Sequence, residues 1–150
     1  MGDFDEDSPI EPRIADRPQS EITVFDMEKE LQWLDKVLPQ IRQENKLRIY
    51  EGLIKKGDVN LWGDFQKGIL ELSDIAAEGT VYHEAFHFVF NTFFSQSERD
   101  SLLNEAMIQF DVKTEYDAKE ALANEFMEYT LNRHTRGLLP KIKQFFQDLV

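Results

Sequence analysis

The amino-acid sequence predicts an α+β domain, because helical and strand-like patterns follow one another along the chain. Apolar residues three and four positions apart indicate a helix in residues 26–39 and further helices after residue 80. Between them, residues 46–73 hold three short runs rich in β-branched and aromatic residues, separated by glycine-containing turns. We therefore expect an N-terminal helix, a small three-stranded sheet and a helical C-terminal part.

The composition is that of one globular domain, and it excludes several classes of function. The 150 residues include twelve phenylalanines, which predicts a core rich in aromatic rings. Because there is no cysteine, disulfides, thiolate nucleophiles and cysteine-ligated zinc are excluded. A net charge of −12 argues against nucleic-acid or anionic-membrane partners, which require a basic surface. With no membrane-spanning or signal-peptide pattern, we expect a cytoplasmic rather than a secreted protein.

The chain divides into a leader and a single domain. Residues 1–20 contain three prolines, six acidic residues and few apolar ones, which is typical of a disordered leader or linker. A short binding motif in residues 10–14 is the alternative interpretation. We expect residues 21–150 to form one domain.

Each element of that domain has a local justification. The predicted strands cover residues 47–53, 59–65 and 68–72. The following helix begins after Gly79 with Thr80 as its N-cap. Ser95 and Glu98 form a capping-box pattern that opens the next helix. Two further helices are predicted in residues 117–133 and, after Pro140, in residues 141–150.

The stretch TVYHEAFHFVFNTFF, residues 80–94, carries the chemistry of the chain. Its H-E-x-x-H pattern places His83 and His87 one turn apart on the same helix face, where two imidazoles can bind one zinc ion. Glu84 lies next to the first histidine and can take a proton from a metal-bound water. The other faces of this helix are apolar, which predicts a buried helix. The alternative is a chance match, with two core histidines hydrogen-bonded to neighbours.

A third metal ligand must come from another part of the chain. On the helix predicted in residues 117–133, Glu120 lies at the edge of the apolar face, whereas Glu125 and Glu128 point toward solvent. A carboxylate that faces the core needs a partner, and zinc is one. Glu120 is therefore the predicted ligand and Glu125 the second choice, although Glu120 could instead close a capping box with Asp117. Asn124 is either a hydrogen-bond partner of a ligand histidine or an ordinary rim residue.

The motif HEAFH at residues 83–87, followed by EALAN at residues 120–124, resembles the gluzincin metallopeptidases, the thermolysin-like class, and their reduced versions, the minigluzincins. The resemblance implies a zincin-like fold, a Zn²⁺ cofactor held by His83, His87 and Glu120, and Glu84 as the catalytic residue. It also implies that a peptide or protein substrate lies along the strand in residues 68–72. The run GTVYHEAFHFVF more loosely resembles peptidase domains inside large proteins of phages and bacterial mobile elements. That similarity implies flanking domains and a location in a virion or host cytoplasm.

The sequence thus predicts a zinc-dependent metalloendopeptidase that hydrolyses peptide bonds with the help of Glu84. The group that stabilises the oxyanion stays open among His134, Tyr129 and Tyr116. Two alternatives belong to other classes. One is a catalytically inactive, peptidase-like domain that binds zinc or protein within a larger chain. The other is a metal-free interaction module whose acidic leader recruits a basic partner.

Overall fold

A computed structural model of the protein describes residues 13–14, 27–132 and 140–149, and within these ranges it confirms the α+β class. The five helices predicted near residues 26, 80, 95, 117 and 140 are all present, with one additional short helix. The helices are α1 (Glu28–Val37), α2 (Gln40–Gln43), α3 (Thr80–Phe93), α4 (Gln96–Gln109), α5 (Glu115–Thr130) and α6 (Pro140–Leu149). None of the described helices has the length and apolarity that a membrane span requires.

The sheet of the described ranges contains five strands instead of the three expected. They are β1 (Arg13–Ile14), β2 (Leu47–Tyr50), β3 (Ile54–Lys56), β4 (Val59–Gln66) and β5 (Ile69–Ser73). The expected strands correspond to β2, β4 and β5. The additional β3 pairs with β4 through a two-residue turn at Gly57-Asp58. The additional β1 falls within the predicted leader, and the other leader residues lie outside the described ranges.

The strand order differs from the expectation in one respect that matters for the site. The order is β1-β4-β5-β2, with β3 also paired to β4. Only the β2–β5 pair is parallel among the described strands. The resemblance implied that the strand in residues 68–72 is a sheet edge, and this expectation is wrong. β5 is internal because a tight turn at Lys67-Gly68 pairs it with β4 on one side, while β2 occupies its other side.

Helix α3 lies at the centre of the molecule. One core cluster joins α3 to α4 and α5, and a second joins α3 to α1, α2 and the sheet. Phe86 stacks in a tilted arrangement on Phe126 of α5, and Phe88 meets Phe65 of β4 edge to face. Every residue from position 80 to position 90 is buried, as the apolar pattern predicted. The site helix is therefore held on both sides by the core.

The residues that cap α3 and α5 differ slightly from the predicted ones, whereas the cap of α4 is as predicted. Gly79, with φ of 92°, is the N-cap of α3, so the prediction of Thr80 as the cap is wrong. A Cβ at Gly79 would lie 2.7 Å from Met127 of α5, which shows how closely the two helices approach. The capping box of Ser95 is confirmed at the start of α4. Helix α5 begins at residue 115, because the side chain of Thr114 caps it by accepting a hydrogen bond from the Asp117 amide.

Candidate metal centre

Helix α3 presents His83, Glu84 and His87 inside the molecule. All three side chains are fully buried, with no exposed surface. Two contacts fix the start of this helix. The Gly79 amide donates to the buried carboxylate of Glu30 on α1 over 2.8 Å, and the ring of Tyr82 packs on Trp33 of α1 with centroids 4.8 Å apart. The orientation of α3 is therefore set by α1 as well as by the sheet.

Helix α5 brings Glu120 to the two histidines. Nε2 of His83 lies 2.8 Å from one carboxylate oxygen of Glu120, and Nε2 of His87 lies 3.6 Å from the other. The possible ligand atoms of the three residues all lie within 4.8 Å of one another. Among the described residues, this is the one group of three or more His, Asp or Glu side chains that could hold a metal ion. The structure thus brings together the three residues that the sequence analysis predicted as metal ligands.

The competing interpretations of α5 can be decided from its start and its exposed side. Because Thr114 is the N-cap, Glu120 lies in the second turn and its carboxylate reaches His83 instead of closing a capping box with Asp117. Asn124 is exposed, so it does not lie in the buried pocket of the histidines. Glu125 is half-buried, less exposed than expected, and it is not part of the convergent group. The arrangement favours Glu120.

The electrostatics of the three groups are coupled. Burial lowers the pKa of His83, but the charges and hydrogen bonds of Glu84 and Glu120 outweigh it and raise this pKa to about 9. Burial also lowers the pKa of His87, and there it outweighs the opposing effect of Glu120. Burial raises the pKa of Glu120, but the hydrogen bond with His83 and the proximity of His87 overcome it and lower the pKa to about 2. Without a metal, Glu120 is therefore ionised and His83 carries a proton at neutral pH, and a metal bound there would displace that proton.

Several polar atoms of the site lack the partners that a metal-free core would provide. Both ring nitrogens of His87 and Oε2 of Glu120 are buried without a hydrogen-bond partner among the described residues. An unsatisfied buried polar atom costs about 1–3 kcal/mol, so such atoms are rare in stable cores. Two imidazoles and one carboxylate are a donor set that catalytic zinc sites use, with a fourth position left open. The residues present fit a metal ion of this kind.

Glu84 lies between the histidine pair and the sheet. Its Oε2 is 3.2 Å from Nδ1 of His83, and its Oε1 is buried without a hydrogen-bond partner among the described residues. Its Cγ lies only 3.1 Å from the point where a Cβ of Gly63 on β4 would stand. Gly63 and Glu30 were not identified from the sequence as contributors to the site. A glycine inside a strand pattern is a signal of close backbone approach, and it could have identified Gly63.

The oxyanion-stabilising group is not assigned by the geometry. His134 lies outside the described residues. Tyr129 is half-buried and packs on the core cluster between α3 and α5. Tyr116, in the first turn of α5, is also half-buried.

No protein-family model, no curated protein and no solved structure matches this chain. The chemistry of the site is therefore the basis for any statement about function. That chemistry defines a group of two histidines and one glutamate that could hold a metal ion, with a second glutamate beside it.

Proposed function

We propose that this protein is a zinc-dependent metalloendopeptidase of the gluzincin type with a zincin-like fold. The observation that carries the proposal is the convergence of His83, His87 and Glu120 within 4.8 Å, with Glu84 adjacent to the first histidine. The sequence order of these residues, HEAFH on one helix and a glutamate on a later helix, is the same order that suggested the gluzincins.

In the proposed mechanism, each side chain has a defined task. His83, His87 and Glu120 would hold the metal, and Glu120 also balances its charge. When bound, zinc supplies a Lewis acid that lowers the pKa of water and polarises a carbonyl group. Glu84 accepts the proton of the attacking water and passes it to the leaving amine when the C–N bond breaks. The buried walls of α3 and β4 exclude bulk water, which strengthens these charge interactions.

The presence of Glu84 favours an enzyme over a structural metal site. A structural zinc site closes all four positions with protein ligands and needs no base beside them. Here three ligands converge, and the carboxylate of Glu84 is adjacent to them but lies outside the convergent group. Peptide or protein is the proposed substrate class, because the resemblance of HEAFH and EALAN to the gluzincins implies it.

The burial of the site also supports a second candidate function, an inactive peptidase-like domain that binds zinc. His83, Glu84 and His87 are fully buried, and only Glu120 exposes part of its side chain, 21%. A centre that stays closed would stabilise the fold without turnover. The two candidates make different predictions for Glu84, because a purely structural site does not depend on a base.

The proposal is tested first by metal content. Elemental analysis of chelator-free protein should find one zinc per chain in the wild type and in Glu125→Ala. In Glu120→Ala the zinc should be lost or bound at least tenfold more weakly. Even residues that only hydrogen-bond to metal ligands contribute about tenfold or more to metal affinity, and Glu120 is proposed as a ligand itself. Absence of stoichiometric zinc in the wild type after reconstitution would remove the metallopeptidase proposal.

Glu84→Gln then separates the two candidates. Glutamine keeps the size and polarity of the side chain but cannot accept the proton, so zinc content should be unchanged. Cleavage of an unstructured protein such as casein should fall by about 10²–10⁴-fold. If the wild type binds zinc and cleaves no peptide under any condition, the inactive zinc-binding domain is the better description.

A further inference from the structure

The strand edge nearest to Glu84 is already occupied by the chain itself. Helix α3 packs against β4, β5 and β1. β1 is paired antiparallel with β4, with Arg13 opposite Gly63 and Ile14 opposite Leu61. Gly63 is also the residue whose missing side chain makes room for Glu84. The β1 backbone therefore lies along the part of β4 that borders the candidate site.

This edge of β4 has the features of a peptide-binding edge. Extended peptides bind proteins by adding a strand to a sheet edge, where main-chain hydrogen bonds supply the affinity. β5 cannot serve, because β4 and β2 occupy its two sides. β2 lies at the opposite end of the strand order from β1. Among the described strands, the side of β4 that carries β1 is the edge that borders both Gly63 and α3.

The segment on this edge is held weakly compared with the rest of the sheet. Within the residues that the structure describes, β1 pairs with β4 through Arg13 and Ile14, and its register shifts between these two residues. By contrast, β5 pairs along its length with neighbours on both sides. Opening the described part of β1 breaks pairing with one strand, whereas opening β5 breaks pairing with two, so β1 opens at a lower free energy than β5.

We propose that β1 is an internal ligand of the β4 edge, which occupies the place of an extended peptide and must leave before such a peptide binds. The inference rests on the proposed function, because the competing peptide is taken to be the substrate. A strand tethered to the domain competes at an effective concentration in the millimolar range, so a weak ladder is enough to lower the apparent affinity for an added peptide. β1 thereby regulates access to the site.

The test measures peptide binding without turnover. The probe is a fluorescein-labelled synthetic peptide with the sequence of residues 8–20, and the protein is the full chain with Glu84→Gln, loaded with zinc. Ile14→Pro is added to release β1, because proline lacks the N–H and its φ is fixed outside the antiparallel range. Ile14→Val is the matched control, since valine keeps the strand preference. Fluorescence anisotropy should give a Kd about tenfold lower for Ile14→Pro than for Ile14→Val. Equal Kd values would overturn the proposal.

Amide hydrogen exchange shows whether the substitution acts on the intended edge. In Ile14→Pro the amides of residues 61–63 that bond to β1 should exchange faster, while Leu70 and Leu72 of β5 stay protected. Leu61 and Gly63 also pair with Ile54 and Leu72, so the amides that bond to those strands keep their protection. Unchanged exchange at β4 would mean that β1 does not cover this edge in solution, and it would overturn the proposal. If Ile14→Pro also exposes β5, the same measurements on Ile14→Gly replace it, because glycine weakens the strand and keeps the N–H.

The outcomes for the internal ligand and for the enzyme can be separated. If Ile14→Pro binds the peptide more tightly but the protein that keeps Glu84 cleaves no peptide, β1 is an internal ligand and the metallopeptidase proposal is wrong. If the protein that keeps Glu84 cleaves peptides but Ile14→Pro and Ile14→Val bind the labelled peptide with the same Kd, the metallopeptidase proposal is supported and the internal-ligand proposal is wrong.

Discussion

Gly63 sets the distance between the sheet and the metal-binding face of α3. A Cβ at this position would lie 2.8 Å from Cγ2 of Thr80 and 3.1 Å from Cγ of Glu84. Both distances are shorter than ordinary van der Waals contact, and all three residues are buried. Neither neighbour can move away into solvent, so a single methyl group at Gly63 would act on the site helix directly.

Gly63→Ala should therefore destabilise the protein and disturb the site. Overpacking of a buried contact costs about 1–3 kcal/mol. Thr80→Ser removes Cγ2, so the double variant should recover part of that loss, and urea unfolding of the four proteins completes a double-mutant cycle. If the unfolding free-energy changes of Gly63→Ala and Thr80→Ser simply add in the double variant, the two positions are not in contact. Zinc affinity should fall in Gly63→Ala and recover in the double variant.

At the residue scale, the sequence predicts the site better than it predicts the support of the site. The spacing of His83 and His87 follows from helix geometry alone, and the position of Glu120 followed from its place at the edge of an apolar face. The roles of Gly63 and Glu30 depend on which elements pack together, and local patterns do not contain that information. Even so, a buried glutamate such as Glu30 needs a donor, and the structure supplies it through the Gly79 amide of α3.

At the element scale, one lysine connects the strands on the face of the sheet that carries Asp64. Nζ of Lys56 on β3 lies 2.5 Å from the carboxylate of Asp64 on β4 and 2.7 Å from that of Glu71 on β5. The hydroxyl of Tyr50 on β2 donates to the second oxygen of Glu71 over 2.7 Å. The side chain of Asp64 is 1% exposed, whereas that of Lys56 is 41% exposed. The partly exposed ammonium of Lys56 thus compensates the buried negative charge of Asp64.

This cluster makes a prediction about pH. Burial raises the pKa of Asp64 and outweighs the effect of Lys56, whereas the pKa of Glu71 is lowered because hydrogen bonds from Lys56 and Tyr50 outweigh its burial. Lys56→Met should cost about 1–2 kcal/mol at neutral pH, a value reduced because the ammonium is partly exposed. As the pH falls, Asp64 takes up a proton in the folded state before it does so in the unfolded state. Stability of the variant should therefore rise relative to wild type below the folded-state pKa of Asp64.

Urea unfolding at neutral pH and at about pH 4.5 measures this effect. Lys55→Met is the control, because Lys55 is the exposed neighbour on the same strand. It should change stability by less than about 0.5 kcal/mol at both pH values. If Lys56→Met lowers the free energy of unfolding by the same amount at both pH values, the lost interaction with the ionised carboxylates of Asp64 and Glu71 is not the cause.

The elements that were missed share a physical cause. β3 is short and was not predicted, although the turn Gly57-Asp58 is a hairpin signal that could have indicated its pairing with β4. β1 offers no such signal. It lies in an acidic, proline-rich segment, and its strand conformation depends on pairing with β4, which local sequence does not reveal. The internal position of β5 is likewise a property of strand order, which side-chain alternation does not determine. The five longer helices, whose periodicity is local, were predicted to within about two residues at their starts, whereas the four-residue α2 was not predicted.

At the scale of the whole molecule, the candidate metal centre joins two parts of the chain. His83 and His87 come from α3, which packs on the sheet, and Glu120 comes from α5, which packs on α3 and α4. Because α3 belongs to both core clusters, neither cluster can unfold without disturbing the other. A ligand that binds this folded arrangement and not the unfolded chain stabilises all of it by mass action.

Zinc should therefore raise the melting temperature of both parts together. The two tryptophans allow this to be measured, because Trp33 packs on Tyr82 and Phe126, whereas Trp62 packs on Ala76 and Ala77. In single-tryptophan proteins made by Trp33→Phe or Trp62→Phe, zinc at about 100 times its Kd adds about 2.7 kcal/mol and should raise both melting midpoints by about 5–10 °C. Excess chelator should reverse the shift, and Glu120→Ala should largely abolish it. A shift seen by Trp33 alone would mean that the metal does not stabilise the surroundings of Trp62 on β4, and that this part of the sheet unfolds separately.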